Sequence, residues 1–191
     1  MSGKELQYLI IHCTATLEGR EIYPDDIHRW HTDPMEVNGK FHYMGKVYNL
    51  VEDLPKEVQP SNRRGRGWKQ VGYRDMILIN AGLLINMVQY NDDNIVDSWE
   101  ITNGATGINS IAAHLVYAGG CDKNMNPKDT RTPDQLETMK MYVRNFVKKY
   151  PHTKVAGHNQ FAPKACPSFH VPAWLRSIGV AEENIYQPNP E

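Results

Sequence analysis

The chain has 191 residues, with Lys+Arg 21 against Asp+Glu 22 and a formal net charge of −1. That length suits one domain spanning 1–191, with room for a substantial core, and the even charge balance gives no ground for a nucleic-acid partner. Three cysteines, Cys13, Cys121 and Cys166, are too few and too odd in number for a disulfide framework, so at least one should be a ligand, a nucleophile or a buried thiol.

In chain order, the opening Met1-Ser2-Gly3-Lys4-Glu5 lacks the charged-then-apolar pattern of a secretory signal, and Leu9-Ile10-Ile11 is too short to span a membrane. The expectation is a chain that is cytoplasmic as synthesised and not membrane-inserted. Residues 6–12 read as a buried strand before a polar Thr-Ala-Thr turn. Pro24 opens a short helix, with Asp25 and Asp26 at its positive end and Ile27, Trp30 and His31 on one face. Residues 34–66 look like an insertion: a hairpin around Met44-Gly45, with Phe41, Tyr43, Val47 and Tyr48, then an irregular loop holding Arg63, Arg64 and Arg66. That loop reads first as a solvated basic cluster, and its length also suits a functional segment.

Residues 71–80 and 83–87 form a strand pair turned at Ala81-Gly82. A polar stretch over 88–109 follows, with Trp99 and Ile101 as anchors. Residues 109–117 are a strand closed by Gly119-Gly120. Thr132, Pro133 and Gln135 mark a capped helix start, and Leu136, Met139, Val143, Phe146, Val147 and Tyr150 form its apolar stripe up to Pro151. Residues 154–158 are a last short strand, 172–178 a terminal helix, and about 180–191 a tail. Strands interspersed with helices predict a mixed α/β fold, a central mixed sheet flanked by helices.

The chemistry-bearing residues stand at element ends. His12 closes the first strand, His158 closes the last, and Cys166 follows in a loop. Two imidazoles and a thiolate suit zinc, leaving a fourth position for water. With eight histidines many triplets are possible, and Cys166 with His158 also fits a nucleophile and its base. His28 and His31 read as structural histidines on the helix. His42, His152 and His170 lie in polar segments, and His114, alternating with apolar neighbours, reads as a satisfied core histidine. Cys13 is sent by strand alternation to the face opposite His12.

Five segments carry a resemblance: Ile10-Ile11-His12-Cys13-Thr14-Ala15-Thr16, Ile27-His28-Arg29-Trp30-His31, Gly67-Trp68-Lys69-Gln70-Val71-Gly72-Tyr73, Asn109-Ser110-Ile111 with Gly119-Gly120, and Ala156-Gly157-His158 through Pro163-Lys164-Ala165-Cys166-Pro167-Ser168-Phe169. In this order they resemble the amidase-2 family, which includes the T7-type phage lysozyme and the peptidoglycan recognition proteins. The segments frame most of residues 6–176, and the last is the most specific.

The resemblance implies zinc held by His12, His158 and Cys166, with Tyr73 and Lys164 as catalytic helpers. It implies hydrolysis of the N-acetylmuramoyl–L-alanine amide of peptidoglycan by an endolysin-type enzyme. Such an enzyme is expected to be monomeric, to take peptidoglycan or muropeptides as its partner, and to act on the wall after lysis or export. The alternatives are a non-catalytic recognition module, whose family members typically lack the Cys, and a protein-interaction regulator. Two departures stand out: Arg74 occupies the place where many catalytic members carry His after the Tyr, and the insertion exceeds the compact phage pattern.

Overall fold

The computed structural model describes residues 3–59 and 64–188. Its strands are β1 (Lys4–Glu5), β2 (Tyr8–Cys13), β3 (Thr16–Leu17), β4 (Met35–Val37), β5 (Lys40–Tyr43), β6 (Lys46–Tyr48), β7 (Asp75–Ile77), β8 (Leu84–Asn86), β9 (Ile95–Val96), β10 (Ala112–Tyr117), β11 (Gly120–Cys121) and β12 (Lys154–Gly157). The α-helices are α1 (Pro24–Thr32), α2 (Pro133–Lys149) and α3 (Val171–Ser177). Among the described residues no helix is long and apolar enough to cross a membrane. The chain divides into two compact units, residues 23–72 and the remainder.

The larger unit is built on a five-stranded mixed sheet in the order β12-β2-β10-β7-β8. β12, β2, β10 and β7 run parallel, and β8 returns antiparallel to β7. The parallel strands are near-continuous apolar runs, as strands covered on both faces require. Leu9, Ile11, Cys13, Leu115 and Tyr117 join Met139, Val143 and Phe146 of α2 and Val171 and Leu175 of α3 in one buried cluster. Both helices therefore cover the same face. The other face carries Ile10, Ala112 and Ala156, and on it lie His12 and His114.

α2 forms where the sequence places it. Thr132 accepts the Gln135 N–H while Gln135 returns a side-chain bond to the Thr132 N–H, and Pro133 stands at the first turn. Gln135 is fully buried because its amide also donates to the carbonyls of Ile77 and Ala118. The 109–117 strand is shorter than expected, since Asn109–Ile111 is a 3-10 turn and pairing begins at Ala112. In the polar stretch Ile101 packs on the core but Trp99 is 51% exposed and lies outside that cluster. Buried Glu100 organises that loop instead, accepting the N–H groups of Asn91 and Asp97.

In the smaller unit, α1 starts at Pro24, and Asp26 accepts the Tyr23 N–H. The expected single hairpin is a three-stranded meander, β4-β5-β6. Asn38-Gly39 makes a first turn and Met44-Gly45 a second, with φ values of 51°, 72°, 50° and 76°. Two successive positive φ angles suit two-residue hairpin turns, so Asn38-Gly39 pairs strands as well. Phe41 packs with Leu54 and Val58 in a small core of the unit's own. Arg64 pairs with Glu36 and lies over the Phe41 ring, and Arg66 lies over Trp68. Arg63 falls outside the described residues.

Candidate metal centre

Parallel pairing aligns Gly157 with Ile11, so the next residues, His158 and His12, emerge side by side at the carboxyl ends of adjacent strands. This is where open parallel sheets bind ligands. The loop that follows brings back Cys166. Its ends are tied by the Asn159 N–H on the Cys166 carbonyl (2.8 Å) and by the Tyr117 hydroxyl on the Pro167 carbonyl (2.7 Å). Gly157 permits the close return: a Cβ there would stand 2.9 Å from Pro167 Cδ and 2.6 Å from Asn159 Oδ1.

The ligand atoms of His12, His158 and Cys166 lie within 4.8 Å of one another, and among the described residues no other such group of three His, Cys, Asp or Glu side chains occurs. His12 Nδ1 is 3.1 Å from His158 Nδ1 and 3.7 Å from Cys166 Sγ. Tetrahedral zinc with ordinary bond lengths puts nitrogen donors about 3.3 Å apart and nitrogen and sulfur about 3.6 Å apart. The donor set therefore fits zinc in both type and spacing. His31 and His170 lie elsewhere in their own settings. His31 accepts the Gly72 N–H at Nδ1 and packs on Trp68, and His170 caps α3 by accepting the Ala173 N–H.

Electrostatics keep the donors neutral or poised. Burial, with the Lys164 charge nearby, lowers His158 to about 4. The Cys13 thiol alongside and burial push the Cys166 thiol up, while the Cys13 N–H (3.3 Å) and Lys164 pull the other way. A bound cation would complete that pull and favour thiolate. Cys13 itself is buried among apolar side chains, and Gly120 leaves it room, since a Cβ there would meet Cys13 Sγ at 2.5 Å. The Tyr73 ring is 5.0 Å from the His12 ring and half-buried, and Lys164 is exposed.

Sequence reasoning treated His114 as a satisfied core histidine, and the structure corrects this. It is fully buried, its Nδ1 is 3.0 Å from His12 Nε2, and its Nε2 has no hydrogen-bond partner. Burial, then the charges of His158 and Arg74, lower it to about 3. Shared strand parity with His12 was the available signal, but it needs the strand order to be known.

No family model matches the chain. The endolysin of Enterobacteria phage K11 is 24% identical over 178 residues, covering 91% of this chain and 88% of the relative. The amidase LysC of Clostridium intestinale URNW shares the fold with a TM-score of 0.56 at 17% identity, covering 93% of this chain and 88% of that one. A Drosophila PGRP-LB variant in complex with tracheal cytotoxin also gives 0.56, at 16% identity over 98% and 88%. The chain is thus similar to phage endolysins in sequence, and it shares its fold with bacterial amidases and peptidoglycan recognition proteins.

The side chain of Arg74, which follows Tyr73, points toward α2 rather than toward the histidines. Its Nε donates to Asp75 Oδ2 (3.0 Å) and an Nη2–H to the Tyr142 hydroxyl (2.8 Å), with the guanidinium 4.0 Å from the Tyr90 ring centroid. The Tyr142 hydroxyl donates to Asp75 at 2.6 Å, and Asn86 to the other carboxylate oxygen at 3.2 Å. Asp75 shares Arg74's side because regular pairing begins only at Asp75. A cleft of about 550 Å³ lined by Arg74, Leu84, Tyr90, Met141 and Phe146 lies along α2, and no histidine lines it.

Proposed function

We propose that the chain is a zinc-dependent N-acetylmuramoyl-L-alanine amidase, hydrolysing the amide between the lactyl group of muramic acid and L-alanine in peptidoglycan. The convergence of His12, His158 and Cys166 at the strand ends carries this reading. The endolysin and amidase relatives support amidase activity. The tracheal cytotoxin held by the PGRP-LB variant supports peptidoglycan fragments as the substrate class. On this reading the enzyme reaches the wall after lysis or export.

His12, His158 and Cys166 would hold the zinc through two nitrogens and a thiolate. When bound, zinc supplies Lewis-acid polarisation of a carbonyl oxygen and a water of lowered pKa. The chain's own groups do the rest. The Lys164 ammonium, two residues before Cys166, stabilises negative charge growing on the amide oxygen, as a pre-placed donor does. The Tyr73 hydroxyl, carried on a ring against His12, orients the attacking water or bonds the tetrahedral carbon's oxygen. The retained thiol at Cys166 favours cutting over the non-catalytic recognition module.

The test is mass spectrometry of purified peptidoglycan after incubation, reading free stem peptides with an L-alanine amino terminus. Chelation should abolish their release and added zinc restore it. Cys166→Ser should lose metal and activity together, because a hydroxyl is a far poorer zinc ligand than a thiolate. Full zinc occupancy in a chain lacking both His12 and Cys166 side chains would overturn the assignment.

A further inference from the structure

The geometry points to His114 as a positioning residue for His12: its Nδ1 accepts the Nε2–H of His12 and so holds that ring in the tautomer whose Nδ1 lone pair faces His158 and Cys166. The inference rests on the metal reading above and adds a residue to it.

The argument is one of proton counting. A neutral imidazole carries one N–H and one lone pair. His12 Nδ1 is the nitrogen that faces His158 Nδ1 at 3.1 Å and Cys166 Sγ at 3.7 Å, so ligation needs its lone pair there. The His12 proton then sits on Nε2, whose neighbour at 3.0 Å is His114 Nδ1. That nitrogen must accept, which places the His114 proton on Nε2, the buried atom without a hydrogen-bond partner. Metal-bound histidines ordinarily donate their remote N–H to a carboxylate, a carbonyl or water. Here a second imidazole takes that place.

Strand pairing builds the contact. β10 lies parallel to β2 with Val116 opposite His12 and His114 opposite Ile10, so His114 stands two residues back on the same face of the adjacent strand. Packing alone does not account for an imidazole here. At a fully buried position on an apolar strand, leucine would fill comparable space without an unsatisfied N–H. Without His114 the metal-free His12 could shift its proton to Nδ1, toward His158 Nδ1, and zinc would have to displace it.

The experiment compares wild type, His114→Leu and His114→Asn, with zinc affinity measured by competition against a chromophoric chelator and stability by urea unfolding of the metal-free chain. Leucine keeps bulk and removes the acceptor; asparagine places a carbonyl oxygen near the former Nδ1. Leucine is expected to weaken zinc about 10- to 100-fold, the usual effect of losing such a partner, without lowering the urea midpoint. Asparagine is expected to keep most of the wild-type affinity. Wild-type affinity in the leucine variant overturns the inference, as does an asparagine variant as weak as leucine. A wild-type chain that takes up no zinc overturns instead the metal reading underneath. Should the leucine variant not fold, nitrogen-15 NMR of histidine-labelled wild type reads the tautomers directly. Protons on Nε2 of both His12 and His114 support the assignment, and an Nδ1 proton on His114 sinks it.

Discussion

Removing the Asp75 charge should cost the fold heavily while sparing the metal site. Asp75 is 2% exposed and its carboxylate takes three bonds, from Arg74, Tyr142 and Asn86. The Arg74 side chain is only 12% exposed. Burial works against its charge, and Tyr142 and Asp75 more than offset that, raising its pKa. In Asp75→Asn the shape survives but the guanidinium is left buried without its counter-charge. Breaking one partner of a buried pair costs about 3–5 kcal/mol, a large share of the roughly 5–15 kcal/mol that holds a domain together. With a urea dependence near 2 kcal/mol per molar, the midpoint should fall by roughly 1.5–2.5 M. Urea titration followed by circular dichroism reads this. Chelator competition on the folded variant should give unchanged zinc affinity, because the pair points toward α2 and the histidines lie on the other face. The double change Arg74→Leu with Asp75→Leu should recover much of the loss, since an apolar replacement removes both charges. A cost below about 1 kcal/mol for Asp75→Asn would refute the claim that the pair is electrostatically isolated from water.

Other consequences follow the same reasoning. Burial, then the charges of Arg66 and His28, depresses His31 to about 4 in the folded chain against 6.5 in an unfolded one. The unfolded state therefore binds the extra proton, and stability is full above pH 6.5 and drains as pH falls toward 4. That is worth roughly 3 kcal/mol in all. His31→Asn, which keeps an acceptor for the Gly72 N–H, should flatten the decline, and stability curves at a series of pH values check it. Lys164→Ala should retain zinc yet lose about a hundredfold in turnover on muropeptides, the usual cost of one missing oxyanion donor. Tyr73→Phe should also keep zinc and slow turnover, and wild-type rates in either would remove that residue from the mechanism. Thr132→Ala should cost about 1 kcal/mol in urea unfolding through loss of the α2 cap.

How much could be read in advance depended on whether the signal was local. α2 was legible because its cap, proline and apolar stripe lie within eighteen residues of one another. The candidate metal residues were legible one by one, His12 and His158 at strand ends and Cys166 in the loop that follows, and the family resemblance joined them. Two other features depend on strand order or tertiary contact. His114 gains its meaning only when β10 is laid beside β2. The Arg74–Asp75–Tyr142 cluster joins residues sixty-seven positions apart across the sheet and α2. Trp99 misled because a large aromatic in a polar stretch looks like an anchor, whereas the loop closes through the Glu100 carboxylate.

The edge position of β12 has a consequence for the order of assembly. β2 precedes β12 along the chain, so one of its two neighbours arrives only when residues 154–157 emerge from synthesis. Until then a strand as apolar as Leu9-Ile10-Ile11 offers unpaired N–H and C=O groups on that side, a template for wrong pairing. Since His158 and Cys166 come later still, the nascent chain can hold His12 without any centre to complete. Between the emergence of β2 and that of β12 the chain is thus most exposed to aggregation and lacks a complete His/His/Cys set, and the arrival of one four-residue strand starts to end both conditions.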